Sequence, residues 1–152
     1  MTASHVVLVP HDFSEPAREA LAWAFDYARR SDRPCEIHLV HVIEHQLRLS
    51  ELTESGGEQL YEELRAIAEE AQTQLSRIQP GASLRGLHRH LASGRPAKEI
   101  VSIADRVGAD LIVMGTHGRT GVRRAVAGSV AEHVVRYAPC TVVCVKSGAV
   151  IT

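Results

Sequence analysis

Apolar residues along this chain come in two textures. Some form short runs rich in Val, Leu and Ile; others return every three or four positions over longer stretches. The short runs read as buried strands and the longer stretches as helices that pack one face. Residues 5–10, His5-Val6-Val7-Leu8-Val9-Pro10, are the first run. Ser14 then predicts a helix cap, with Glu15 and Pro16 in the first turn and an apolar stripe of Ala17, Leu21, Ala24, Phe25 and Ala28. The Ser31-Asp32-Arg33-Pro34 cluster ends that helix. Residues 36–43 read as a second strand, and the polar stretch 44–56 as a mobile loop that closes on Gly56-Gly57. Leu60, Leu64, Ile67, Ala71, Leu75 and Ile78 then trace one face of a long helix stopped by Pro80-Gly81. Residues 83–91, with Leu84, Leu87 and Leu91, give a third strand of irregular alternation. A helix follows from Pro96, with Ile100, Ile103, Ala104 and Val107 inward and Gly108 as its stop. A fourth strand is expected at 110–115, a helix at 129–137 and a fifth strand at 141–146.

Strands alternating with helices imply an α/β fold: a parallel five-stranded sheet between two helical layers, with right-handed crossovers. Ligands of such sheets bind outside the carboxyl ends of the strands, where strand order reverses. In the order 3-2-1-4-5 the first and fourth strands flank that point. The loop after Pro10 and the loop after Gly115 then face one another.

The fourth loop carries the strongest chemical signal. From Gly115 to Ser129 the chain reads G-T-H-G-R-T-G-V-R-R-A-V-A-G-S. It follows the apolar run Leu111-Ile112-Val113-Met114, and Ser129 with Glu132 makes the S-x-x-E signature of a helix start. A helix N-terminus offers unpaired N–H groups and about half a positive charge. Glycines let a backbone approach an anion closely. The combination describes a phosphate cradle, although glycines in such loops also serve as plain turn residues.

The spacing Gly115-x2-Gly118-x9-Gly128-Ser129 resembles the nucleotide-binding motif of the universal stress protein family, in its ATP-binding branch. The likeness extends over nearly the whole chain. Val6-Val7-Leu8-Val9-Pro10 followed by His11-Asp12-Phe13-Ser14 is similar to that family's first strand and loop, Leu39–Ile43 to its second strand, and Ala138–Lys146 to its closing strand. The resemblance implies a Rossmann-like fold of the adenine nucleotide alpha hydrolase-like kind. It implies a cofactor, ATP or else AMP or cyclic AMP, with Mg bound through the phosphates. It assigns base and ribose contacts to Pro10, His11, Asp12 and the backbone of Val42. Met114, Gly115, His117, Gly118, Arg119, Gly128, Ser129 and Val130 correspond to the ribose and phosphate site. It also implies a homodimer through strand 141–146, a run that is apolar, free of proline and expected at the sheet edge. Asp12 has a plainer reading as a turn former or auxiliary cap, and Arg123 and Arg124 as solvated helix charges.

Bulk composition narrows the classes. With 152 residues, 45% hydrophobic and 23% charged, one globular domain with a full core is expected. A net charge of −1 gives no electrostatic footprint for nucleic acid. No apolar run approaches a membrane span and the first residues show no secretory signal, so a cytoplasmic location is expected. Cys35, Cys140 and Cys144 form no C-x-x-C pair and are expected to be buried, reduced thiols. His88 and His90 share a strand face, but no Cys, Asp or Glu joins them at a recognised metal spacing, so no metal site is expected.

Missing motifs bear on activity. The chain has no Walker lysine, no kinase motif set, no dinucleotide G-x-G-x-x-G and no G-x-S-x-G nucleophile elbow. Neither a general base nor an arginine finger stands out. The expectation is a binding module that changes protein partners with nucleotide state and hydrolyses slowly or not at all. The alternative is an ATP-cleaving or nucleotidyl-transferring enzyme of the same fold group. Such enzymes usually add catalytic lysines, histidines or an extra domain, and no such domain is expected in the six residues after the fifth strand.

Overall fold

The computed structural model describes residues 3–44, 62, 66, 69, 70, 73, 76–78, 86–116 and 129–146. The chain runs β1 (His5–Pro10), α1 (Glu15–Arg30), β2 (Cys35–Ile43), β3 (Gly86–Ser93), α2 (Pro96–Val107), β4 (Leu111–Gly115), α3 (Ser129–Tyr137) and β5 (Thr141–Val145). Glu62, Ala66, Glu69, Glu70, Thr73, Ser76 and Arg77 are also helical. All pairings in the sheet are parallel, in the order β3-β2-β1-β4-β5. Crossing from β1 to β4 reverses the direction in which the sheet grows.

The helix ends follow from their residues. The Ser14 hydroxyl accepts the Ala17 N–H at 3.3 Å, with Pro16 in the first turn where its missing N–H costs nothing. At the far end of α2, Gly108 takes a left-handed φ of 66° and its N–H turns back to the Ala104 and Asp105 carbonyls. A Cβ at this position would meet nothing within 4 Å, so conformation alone selects the glycine.

Alternate strand residues enter two cores. On one face Val7, Val9, Ile37, Leu39, Leu111 and Val113 pack against Ala20, Leu21, Ala24 and Ala28 of α1. On the other, Leu8, Val40, Ile112 and Met114 pack against Ile100, Ile103 and Ala104 of α2 and Val134 of α3. Ala20 is fully buried and completes the α1 stripe, whereas Phe25 and Val107 sit half-buried at its margin and at that of α2.

Several bounds differ from the sequence expectations. β3 runs on to Ser93, because Ala92 and Ser93 pair with Val42 and Ile43; residues 83–85 lie outside the described residues. β4 begins at Leu111, after an Asp110 turn whose carboxylate accepts the Val6 N–H at 2.9 Å. Of the expected loop at 44–56, residues 45–56 lie outside the described residues, as does the Pro80-Gly81 stop. The three thiols are free, but only Cys35 is buried. Cys140 is half-buried just before β5 and Cys144 is exposed on it, because an edge strand is covered from one side only. Burial, joined at Cys140 by the Asp110 charge, still raises both thiols above the ordinary range. They are protonated, poorly nucleophilic groups at neutral pH.

Candidate functional site

β1 and β4 are neighbours, and both release the chain at the same edge of the sheet. After Pro10, the His11 N–H still bonds to the Val40 carbonyl at 2.7 Å, and the backbone then turns sharply. Asp12 Oδ1 accepts both the N–H of Ser14, at 3.0 Å, and its hydroxyl. Asp12 thus orders the turn that caps α1, as its plainer reading held. Phe13, between them, adopts φ 65°, a left-handed conformation that costs an ordinary residue roughly 1–2 kcal/mol. Such strain gathers at functional loops. No glycine or asparagine in the sequence announced it.

His11 is the best-defined group here. Its Nδ1 accepts the Phe13 N–H at 3.0 Å, which leaves the ring proton on Nε2. The carbonyl of His11 accepts from His41 Nδ1 at 2.8 Å. His41, buried and stacked obliquely on Phe13 at 4.7 Å, therefore fixes the loop from below, a role that sequence spacing did not reveal. Burial lowers the His11 pKa to about 4; Arg18 and His41 push the same way and Asp12 opposes them. Protonation would also put a hydrogen on Nδ1, against the Phe13 N–H.

A stability prediction follows. Between pH 6.5 and about 4 the unfolded chain holds a proton on this ring and the folded chain does not. Stability is therefore full above pH 6.5 and falls as pH drops through that window, by on the order of 2–3 kcal/mol from this residue. Urea denaturation at pH 7 and pH 4.5 should show a smaller loss in His11→Asn than in wild type. Equal losses would place the titration elsewhere, at His38 or His90, whose pKa values are also lowered.

On the β4 side, Met114 is buried in the core and Gly115 ends the strand. A Cβ on Gly115 would lie 2.9 Å from Pro16 Cβ and 3.0 Å from the Pro16 carbonyl oxygen. The glycine therefore serves the close approach of β4 to the first turn of α1. Next to it, the Thr116 hydroxyl is buried with no hydrogen-bond partner among the described residues. Val42 lies where β2 outruns β1. Val40 turns its carbonyl toward β1 and Ile43 turns its own toward Gly94. By the two-residue repeat of a strand, Val42 points its N–H and C=O past the end of β1. Val130 is half-buried in the first turn of α3 against the second core. Ser129 opens that helix, and its side chain, like His117, Gly118, Arg119, Arg123, Arg124 and Gly128, lies outside the described residues.

A cavity of about 360 Å³ opens beside the loop, lined by His11, Phe13, Arg18, Phe25, Arg77 and Ile78 among others. It shares His11 with the expected nucleotide contacts and lies on the α1 flank. We place the candidate site at the β1–β4 edge, where the strand order reverses, and not in this cavity.

The universal stress protein family matches residues 4–146 of the chain. The chain belongs to that family. It is 37% identical over 142 residues to universal stress protein MJ0531 of Methanocaldococcus jannaschii, covering 92% of this chain and 81% of that one. Among solved structures, the hypothetical protein MJ0577 superposes with a TM-score of 0.69 at 29% identity, over 97% of this chain and 99% of the other. A universal stress protein solved in complex with cAMP shares the fold, at a TM-score of 0.59 and 24% identity, covering 95% and 98%. The family's Rossmann-like architecture is thus this chain's own, down to the strand order.

Proposed function

We propose that this universal stress protein binds an adenine nucleotide at the carboxyl edge between β1 and β4 and acts as a nucleotide-dependent stress-response module. The observation that carries the reading is the junction at that edge. The first turn of α1, which the His11–Ser14 turn leads into, meets the end of β4 at Gly115, and the backbone of Val42 projects past the end of β1. In this reading Val42 receives the base edge through its main chain. Asp12 and the His11 carbonyl border the ribose, and the 115–129 segment carries the phosphates to the start of α3. ATP brings its Mg on the phosphates, since Mg holds most of its ligands from phosphate and water. AMP and cyclic AMP fit the same base and ribose contacts. We assign slow hydrolysis or none, since the chain carries no Walker lysine and no evident general base or arginine finger, in a homodimer that pairs through β5 and presents its nucleotide state to another protein.

Asp12→Ala should weaken nucleotide binding by about 1–3 kcal/mol, the range for a hydrogen bond to a charged group. Because Asp12 also orders the turn, Asp12→Asn belongs beside it: the amide oxygen keeps the Ser14 contact while the charge is lost. Calorimetry with ATP on both variants checks this. Wild-type dissociation constants in both would confine Asp12 to capping.

A further inference from the structure

At the other end of β2, Glu36 and His38 stand in register with Gly86 and His88 of β3, and Val40 with His90. Residues two apart share a face, so Glu36, His38, His88 and His90 all project from the same side of the sheet. The contacts agree. The Glu36 carboxylate lies 3.8 Å from His88 Nε2, and His38 Nδ1 lies 2.8 Å from His90 Nε2. The His38 ring stacks on His88 at 4.4 Å and on His90 at 5.1 Å between centroids. One ligand atom from each of Glu36, His38 and His88 lies within 4.8 Å of the others. Gly86 helps: a Cβ there would sit 3.2 Å from His88 Nε2, so the glycine leaves room for the imidazole to fold toward Glu36.

We propose that Glu36, His38 and His88 bind one divalent first-row transition-metal ion of the zinc class, with His90 as the residue that positions His38. Two imidazoles and a carboxylate make a borderline donor set that suits zinc better than magnesium or calcium. Tetrahedral donors with bonds of about 2.05 Å stand roughly 3.4 Å apart, so the cluster has to contract by about an ångström. Stacked rings cannot both hold an ion in their planes, so one must turn. The His88 side chain, 50% exposed, has the freedom to do so, and its exposure leaves a coordination position for water. His38 has its Nδ1 engaged with His90, which leaves Nε2 for the ion. An imidazole ligand whose second nitrogen is held by a neighbour is the usual arrangement at metal sites. His38, the ligand nearest to Val42 along β2, stands four positions before it, roughly 13 Å of strand, so this site is separate from the nucleotide edge.

The test is a zinc titration of the full, untagged chain by calorimetry, in competition with a chelator. Wild type should bind one zinc per chain. Glu36→Gln and His88→Ala should each weaken binding at least ~10-fold, and His90→Ala by ~10–100-fold, with recovery in His90→Gln, whose oxygen replaces the Nε2 acceptor. His133→Ala, on α3, is the control and should bind as wild type does. At one fixed zinc concentration the metal should raise the melting temperature of wild type by more than that of His88→Ala, whose cooperative melting also reports that the variant is folded. Absence of stoichiometric binding in wild type overturns the proposal. So does wild-type affinity in the Glu36→Gln/His88→Ala double variant, or a loss in the His133 control equal to that in His88→Ala.

Discussion

Val142→Pro is expected to abolish the dimer proposed through β5 and to leave the chain monomeric. β5 is an edge strand, bonded to β4 on one side. The Thr116 N–H reaches the Val145 carbonyl at 3.2 Å, so Val145 faces β4. By the same two-residue repeat, Val143 and Thr141 also face β4, and Val142 and Cys144 turn their N–H groups to the open edge. Proline at Val142 removes an outward donor and leaves the β4 ladder whole; edge positions tolerate it. Proline at Val143 breaks the ladder itself and should lower stability instead. Helix α3 also exposes two large apolar side chains, Val135 and Tyr137, each at 57%. Light scattering on the two variants, with a denaturation curve for each, separates the effects. A monomeric wild type, or a Val142→Pro variant that remains a folded dimer, would defeat the assignment of β5 as the pairing strand.

Gly115→Ala is expected to destabilise the fold by about 1–3 kcal/mol, the usual cost of overpacking. The added methyl meets the Pro16 backbone at 3.0–3.1 Å, and that backbone is held by the Ser14 cap and by α1 behind it. Relief requires β4 and α1 to part, which opens the first core. Equilibrium unfolding of the variant against wild type measures this. Unchanged stability with lost ATP binding would show that the space belongs to the ligand and not to Pro16.

The fold was largely legible in the sequence because its cues are local. Runs of Val, Leu and Ile marked β1, β2 and β4, Ser14 and Gly108 marked helix ends, and alternation of element type implied a parallel sheet. β3 was blurred because an edge strand half-exposes both faces, so Leu87 and Leu91 alternate with His88 and His90 without a clean apolar period. Burial of Cys140 and Cys144 was misjudged for the same reason at the opposite edge. At the candidate site, the Asp12 turn and the Gly115 strand end were visible as motifs. The engagement of His41 with the His11 carbonyl was not, because it joins residues thirty apart. The histidine cluster was hidden more deeply. Glu36 and His38 lie some fifty positions from His88 and His90, and only the β2–β3 register brings them to one face.

The overhang of β2 beyond β1 has an evolutionary consequence. A contact made by main-chain groups leaves no signature in residue type, so position 42 can drift among Val, Ile and Thr without altering what its N–H and C=O present. Length is the constrained quantity. Deleting one residue between Val40 and Gly94's partner Ile43 would exchange the two sides of the strand and turn the projecting amide toward β3. Within this chain's lineage, insertions and deletions in that short segment should therefore be rarer than substitutions.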